Sequence, residues 1–208
     1  MFLNSITFLE DIRTIKKDTV IEFNSNITVI SGDNGTGKST IVQSLFRNLA
    51  SDNKTTFGSN VNIPNDIREA KITVNTSKEY KKDNIIYLDA VEGLLKNLSY
   101  FDNDNMTLQI SCMGKSSGEG LLMQLAELNN NEELNSSILI LDEPERGLSI
   151  KQQITLAKYF KFLSKNNPNL QIIIVSHGFG VLTAFDTMYS TNDFEYITTE
   201  DYITSMLV

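Results

Sequence analysis

Eight consecutive residues, Gly32-Asp33-Asn34-Gly35-Thr36-Gly37-Lys38-Ser39, constrain this chain more than any other segment. They fit G-x-x-x-x-G-K-[ST], a loop whose glycines let backbone N–H groups turn inward around phosphates. The preceding run, Ile27-Thr28-Val29-Ile30, reads as a strand. The following one, Ser39 to Leu49, is apolar at positions 41, 42, 45, 46 and 49, the spacing of a helix with one buried face. Strand, glycine loop and helix are the context that such a loop requires. They argue against the plainer alternative of a Gly- and Asn-rich surface turn. The helix N-terminus adds partial positive charge and Lys38 a full one. Ser39 is placed to ligate magnesium, and Gly32 through Thr40 form the candidate nucleotide-binding segment.

A second pattern turns binding toward hydrolysis. Ser137-Ile138-Leu139-Ile140-Leu141 is an unbroken apolar run, as expected of a parallel strand buried on both faces. Asp142 emerges at its carboxyl end, where ligands of open α/β sheets sit, and can hold magnesium through water. Glu143 follows and suits a base that polarises an attacking water. Phosphoryl transfer needs mostly positioning and charge neutralisation, so loop, lysine, metal and base make up most of a catalyst. Alone, Asp142-Glu143-Pro144-Glu145 also fits a solvated turn after a strand. His177, the only histidine, follows a second buried-strand run, Gln171-Ile172-Ile173-Ile174-Val175-Ser176. A lone histidine is usually structural. Its place just past a core strand makes His177 a candidate sensor of the terminal phosphate.

Between these motifs lies Ser116-Ser117-Gly118-Glu119, which opens the apolar stretch Leu121 to Ala126. By itself it reads equally as an ordinary helix cap or as a ligand for a γ-phosphate. Taken in order, the phosphate loop, Ser-Ser-Gly-Glu, Asp-Glu-Pro-Glu, Arg146-Gly147-Leu148-Ser149 and strand-Ser-His resemble ABC-type ATPase heads. More narrowly, the chain is similar to small stand-alone AAA/ABC-like ATPases related to the DNA-repair and chromosome-maintenance branch. The resemblance covers essentially the whole chain.

It implies an α/β fold of the P-loop NTPase, ABC-ATPase-head type: a mixed central sheet, an antiparallel β edge layer and a small helical lobe at about 89–130. It implies ATP and Mg2+ as cofactors. It further implies a homodimer in the ATP state, in which Ser117, Gly118 and Glu119 of one copy complete the site of the other. Arg146 to Ser149 would then lie at the seam, with Ser149 and Gln152 forming a capping box that starts a helix through roughly Lys165. Two features depart from the family pattern. The glutamine that contacts magnesium in ABC heads has no counterpart after the strand Ile85 to Leu88, where Asp89 or Glu92 is the candidate substitute. No aromatic residue marks an adenine-stacking loop, which leaves Phe8 or Arg13, with Arg13 preferred.

The remaining chain reads as strands between about 2 and 31, loop over 51–68, strands at 70–75 and 84–88, and a mainly helical lobe from Ala90 to Leu128. After His177 come a helix at Phe179–Phe185, short strands near Met188 and Tyr196, and a last helix from Thr199. At 208 residues and 40% hydrophobic, the chain is expected to be one domain, 1–208. No apolar stretch reaches the roughly 18–20 residues that cross a membrane, and no signal peptide is visible at the N-terminus. The single cysteine, Cys112, fits a cytoplasmic location.

A net charge of −8 is the wrong sign for a duplex-binding surface, so nucleic acid remains possible as a partner but is not indicated. Lys78, Lys81 and Lys82, and Lys158, Lys161 and Lys165, read as solvated faces. The expected function is ATP hydrolysis to ADP and phosphate by an ATP-sandwiched homodimer that regulates or drives a protein partner, in DNA maintenance or phage and mobile-element defence. The alternatives are the nucleotide-binding subunit of an ABC transporter and a nucleotide-dependent switch with little turnover.

Overall fold

A computed structural model describes residues 2–50, 62–77, 85–89 and 137–206. The expected helical lobe beyond Asp89, with Glu92, Cys112 and the Ser116–Glu119 segment, lies outside the described residues. Among the described residues, six strands form the central sheet in the order β5-β6-β7-β3-β8-β9. These are β3 (Ile27–Ser31), β5 (Ile85–Asp89), β6 (Ile138–Asp142), β7 (Gln171–Val175), β8 (Thr187–Ser190) and β9 (Glu195–Thr198). All neighbours pair in parallel except β8 and β9, which are antiparallel. The sheet is therefore mixed, as expected.

The unbroken apolar runs have a direct cause. Ile138, Ile140, Ile173 and Val175 enter one core, whereas Leu139, Leu141, Ile172 and Ile174 enter a second core on the opposite face. Successive strand residues point to opposite faces, and here both are covered, so the middles of β6 and β7 are apolar on both sides. The first core is closed by α1 (Lys38–Leu49), through Ile41, Val42, Leu45 and Phe46, and by the antiparallel layer. The second is closed by α3 (Ile150–Asn166), through Leu156, Phe160 and Leu163.

The edge layer differs from expectation in its membership. It consists of β2 (Val20–Glu22), β1 (Leu3–Phe8) and β4 (Ile72–Thr76), in that order. The last strand of the 2–31 region, β3, leaves this layer for the central sheet, and β4 takes the place beside β1. A short helix, α2 (Asn65–Glu69), also stands where loop was expected. Pro64 opens it with its carbonyl accepting from Ile67 and Arg68, and the buried Ile67 anchors it. Helix α4 (Phe179–Leu182) is shorter than expected, because Ala184 and Phe185 bond back three residues and tighten the turn. The closing helix, α5 (Thr199–Ser205), begins where the sequence places it.

One buried side chain ties the two sheets together. Gln171, at the start of β7, accepts N–H bonds from Phe2 at 3.2 Å and Leu3 at 2.8 Å through Oε1. Its Nε2 donates to the Leu3 carbonyl at 2.9 Å. A polar residue is tolerated at this wholly buried position because the start of the chain presents backbone groups that match its amide. Gln171→Leu is expected to lower stability by about 2–4 kcal/mol, since it strands buried donors and an acceptor. Urea denaturation checks this; a loss below about 0.5 kcal/mol would show that Gln171 does not couple the sheets.

Candidate functional site

The parallel strands deliver their carboxyl ends to one edge. Asp142 registers with Val175 across β6 and β7, Ile30 with Val175 across β3 and β7, and Asp89 with Asp142 across β5 and β6. The phosphate loop leaves β3 at this edge and feeds α1. Gly37 caps α1 at φ 111°, a conformation that disfavours side chains, and a Cβ there would meet Ile15 and Thr14 at 3.0 Å. Among the described residues, no side chain caps the α1 N-terminus, and no acidic residue occupies its first turn. Its open N–H groups are therefore available to an anion.

The loop is stiffened from behind by residues that sequence reasoning missed. Thr36 Oγ1 lies 2.5 Å from Thr191 Oγ1, and the Asp33 N–H donates to Asn192 Oδ1 at 2.8 Å. Thr191 in turn bonds the Ser31 carbonyl through both its backbone and its hydroxyl. These two residues follow β8, about 155 positions from the loop, and carry no motif.

Lys38 is only 6% exposed. Its Nζ donates to the carbonyls of Gly32 at 2.9 Å and Asp33 at 2.6 Å. Burial lowers its pKa, while the carboxylates of Glu143, Asp142 and Asp33 pull in the opposite direction. An arriving phosphate adds to the second effect. Anion binding is thus strongest while Lys38 is protonated and weakens as pH rises through its pKa.

Glu143 adopts φ 50° and donates its N–H to the Val175 carbonyl at 2.9 Å. Its Oε1 lies 2.8 Å from Nε2 of His177, with each side chain about one-third exposed. The two residues expected to act at the terminal phosphate are thus in direct contact. Arg146 approaches Glu143 Oε2 at 4.0 Å from an exposed position and is held only loosely. Asp142 is buried and accepts from the Tyr87 hydroxyl at 3.0 Å, a partner that the sequence reading passed over within its own β5 segment.

Arg13, Thr14, Asn34, Gly35, Gly37, Lys38, Ser39, Thr40, Glu143 and His177 line one cleft of about 250 Å³. Arg13 makes a two-pronged ion pair with Asp66 of α2, at 2.7 and 3.1 Å, which holds the Asp66 carboxyl below its usual pKa. The other adenine candidate, Phe8, is excluded. Its ring is 0% exposed within the first core and offers no face to a ligand. Ser117, Gly118 and Glu119 lie outside the described residues. Among those described, no three His, Cys, Asp or Glu side chains gather into a metal cluster. The exposed Ser39 hydroxyl and the Asp142 carboxylate are hard oxygen donors at this edge, the ligand type that Mg2+ takes together with substrate phosphates.

The profile of the AAA domain family matches residues 8–195 of this chain. No curated protein matches the sequence. Among solved structures, the chain is similar to an SMC head domain from Thermotoga maritima, at 16% identity and TM-score 0.56, covering 91% of this chain and 94% of that one. It is also similar to a nucleotide-free ATP-binding cassette from an ABC transporter, at 16% identity and TM-score 0.57, covering 100% and 95%. A dimeric post-hydrolysis ATP-binding cassette bound to ADP and Pi matches at 14% identity and TM-score 0.51, covering 95% and 98%. These likenesses establish the ABC-head fold. Among the described residues, no helix is long and apolar enough to cross a membrane. With the family profile spanning the phosphate loop, the acidic strand end and His177, the chain belongs to the AAA domain family, as a P-loop ATPase built on the ABC-type head fold.

Proposed function

We propose that this chain, as one cytoplasmic domain, hydrolyses ATP with Glu143 as the base and His177 as the group that orients water and terminal phosphate. The 2.8 Å contact between Glu143 Oε1 and His177 Nε2, in the lining of the cleft that also holds Lys38, carries this reading. Lys38 exchanges its bonds to the Gly32 and Asp33 carbonyls for the β- and γ-phosphates, and the α1 N-terminus with Ser39 and Thr40 receives the remaining phosphate charge. Ser39 and Asp142 would hold Mg2+, which would supply further charge neutralisation when bound. Glu143 takes a proton from the attacking water, and His177 stabilises the charge that develops on the γ-phosphoryl oxygens. Arg13, which is paired with Asp66 and lines the cleft, is the candidate contact for adenine.

In the same reading, ATP glues two copies together. Ser117, Gly118 and Glu119 of one copy close on the γ-phosphate bound by the other, and Arg146 to Ser149 lie at the seam. The cassette bound to ADP and Pi is dimeric, which supports such an assembly for this fold. Its output is regulation or driving of a protein partner, with DNA maintenance or phage and mobile-element defence as the setting. A second reading has equal support from the full-length match to a transporter cassette: the chain energises a membrane partner. Co-purification with an integral membrane protein would favour that reading.

Lys38→Ala is expected to abolish ATP binding. Glu143→Gln should keep binding and cut turnover by about 10²–10⁴-fold, as loss of a positioned base does. A native rate in Glu143→Gln would reassign the base, and absence of turnover in the wild-type chain would leave a nucleotide-dependent switch. His177→Ala should depress turnover far more than affinity; parallel loss of ATP and ADP binding with a lower melting temperature would instead indicate a core role.

Glu143→Gln with ATP should run as a dimer in size-exclusion chromatography with light scattering, and as a monomer with ADP. Ser117→Arg should abolish that dimer while nucleotide binding persists. A monomer under every nucleotide condition would contradict the sandwich.

A further inference from the structure

The last acidic residue of Asp142-Glu143-Pro144-Glu145 has no part in the chemistry above, yet it is 6% exposed. A carboxylate is seldom buried so far without partners. Glu145 Oε1 accepts two backbone N–H bonds, from His177 at 2.8 Å and from Gly178 at 2.9 Å. Both donors belong to the segment leaving β7, so one oxygen fixes the point from which the imidazole projects. Gln153 of α3 holds the same segment from further along, accepting from the Gly180 N–H at 3.0 Å and donating to the Leu148 carbonyl at 3.1 Å.

Gly178 sits between these two supports without slack. A Cβ there would stand 2.5 Å from Glu145 Cγ and 2.8 Å from Gln153 Oε1. The second carboxylate oxygen, Oε2, is buried and makes no hydrogen bond among the described residues. A buried acceptor without a donor costs stability, so packing alone gives little reason for a carboxylate at this place.

We infer that Glu145 is a positioning residue for hydrolysis: by gripping the His177 and Gly178 N–H groups it sets the imidazole at contact distance from Glu143. The inference rests on the reading of Glu143 and His177 as the hydrolytic pair. Glu145 touches neither phosphate nor water in this scheme and acts only through His177. A shift of about 1 Å in such a group can cost on the order of 10²-fold in rate.

The test uses the full chain. Glu145→Ala should lower kcat by about 10- to 100-fold, with ATP and ADP affinities held within about 2-fold. Glu145→Gln retains an acceptor oxygen in the same place and should restore most of the rate. In a His177→Ala background, Glu145→Ala should cause no further loss, because the two residues act as one unit. His177 is the only histidine, so its ring C–H resonances report on it without any turnover. In the nucleotide-free protein they should move in Glu145→Ala and stay in place in Glu145→Gln.

An unchanged rate, an undiminished loss in the His177→Ala background, or ring resonances unmoved by Glu145→Ala would overturn the proposal. Should Glu145→Ala fail to fold, Glu145→Asp carries the same test, since its shorter side chain loses reach and keeps its charge. A wild-type chain without ATPase activity would defeat the hydrolytic reading instead. The ring resonances would then still decide whether Glu145 sets the position of His177.

Discussion

An ammonium group withdrawn from water and held by two loop carbonyls is the interaction on which the site depends. Lys38 gives up hydration at the start of α1, and the Gly32 and Asp33 carbonyls replace only part of it. The lowered pKa of Lys38 expresses that deficit. Such a group attracts phosphate more strongly than a hydrated surface lysine does, because its alternative partners are neutral. The deficit is sustainable only because the loop cannot relax. Thr191 and Asn192 brace it from one side, and Gly37 packs against Thr14 and Ile15 on the other.

The central sheet places the rest of the site beside this lysine. Alternate residues of β6 and β7 bury themselves in two cores, which fixes both strands and their register. Their carboxyl ends then present Asp142, Glu143 and His177 beside the phosphate loop with little freedom. The acidic segment after β6 works in two directions: Glu143 reaches His177 by its side chain, and Glu145 reaches the backbone of the same residue. Gln171 performs the analogous task at the opposite end of β7, where it joins the edge layer to the sheet.

What was legible in the sequence is what depends on neighbours along the chain. The phosphate loop, α1, the buried runs of β6 and β7 and the Ser149–Gln152 capping box each follow from local spacing and stand as expected. The entry of β4 beside β1 and the bracing by Thr191 and Asn192 depend on residues 50 or more positions apart, so composition gives no hint of them. Tyr87 and Gln171 lay inside strands already recognised, but their polar atoms matter only through partners in other strands. Phe8 misled for the opposite reason. Its place in the first hairpin-like segment was visible, whereas its burial depended on how β1 packs.

The central claim is that Lys38, Glu143 and His177 converge on one terminal phosphate. A crystal structure of the Glu143→Gln chain with ATP and Mg2+ tests it most directly. The account predicts that Lys38 Nζ leaves the Gly32 and Asp33 carbonyls for the β- and γ-phosphates, and that His177 Nε2 stands within hydrogen-bond distance, about 3 Å, of a γ-phosphate oxygen. A bound ATP with Lys38 still on those carbonyls, or with His177 turned away from the γ-phosphate, would contradict it.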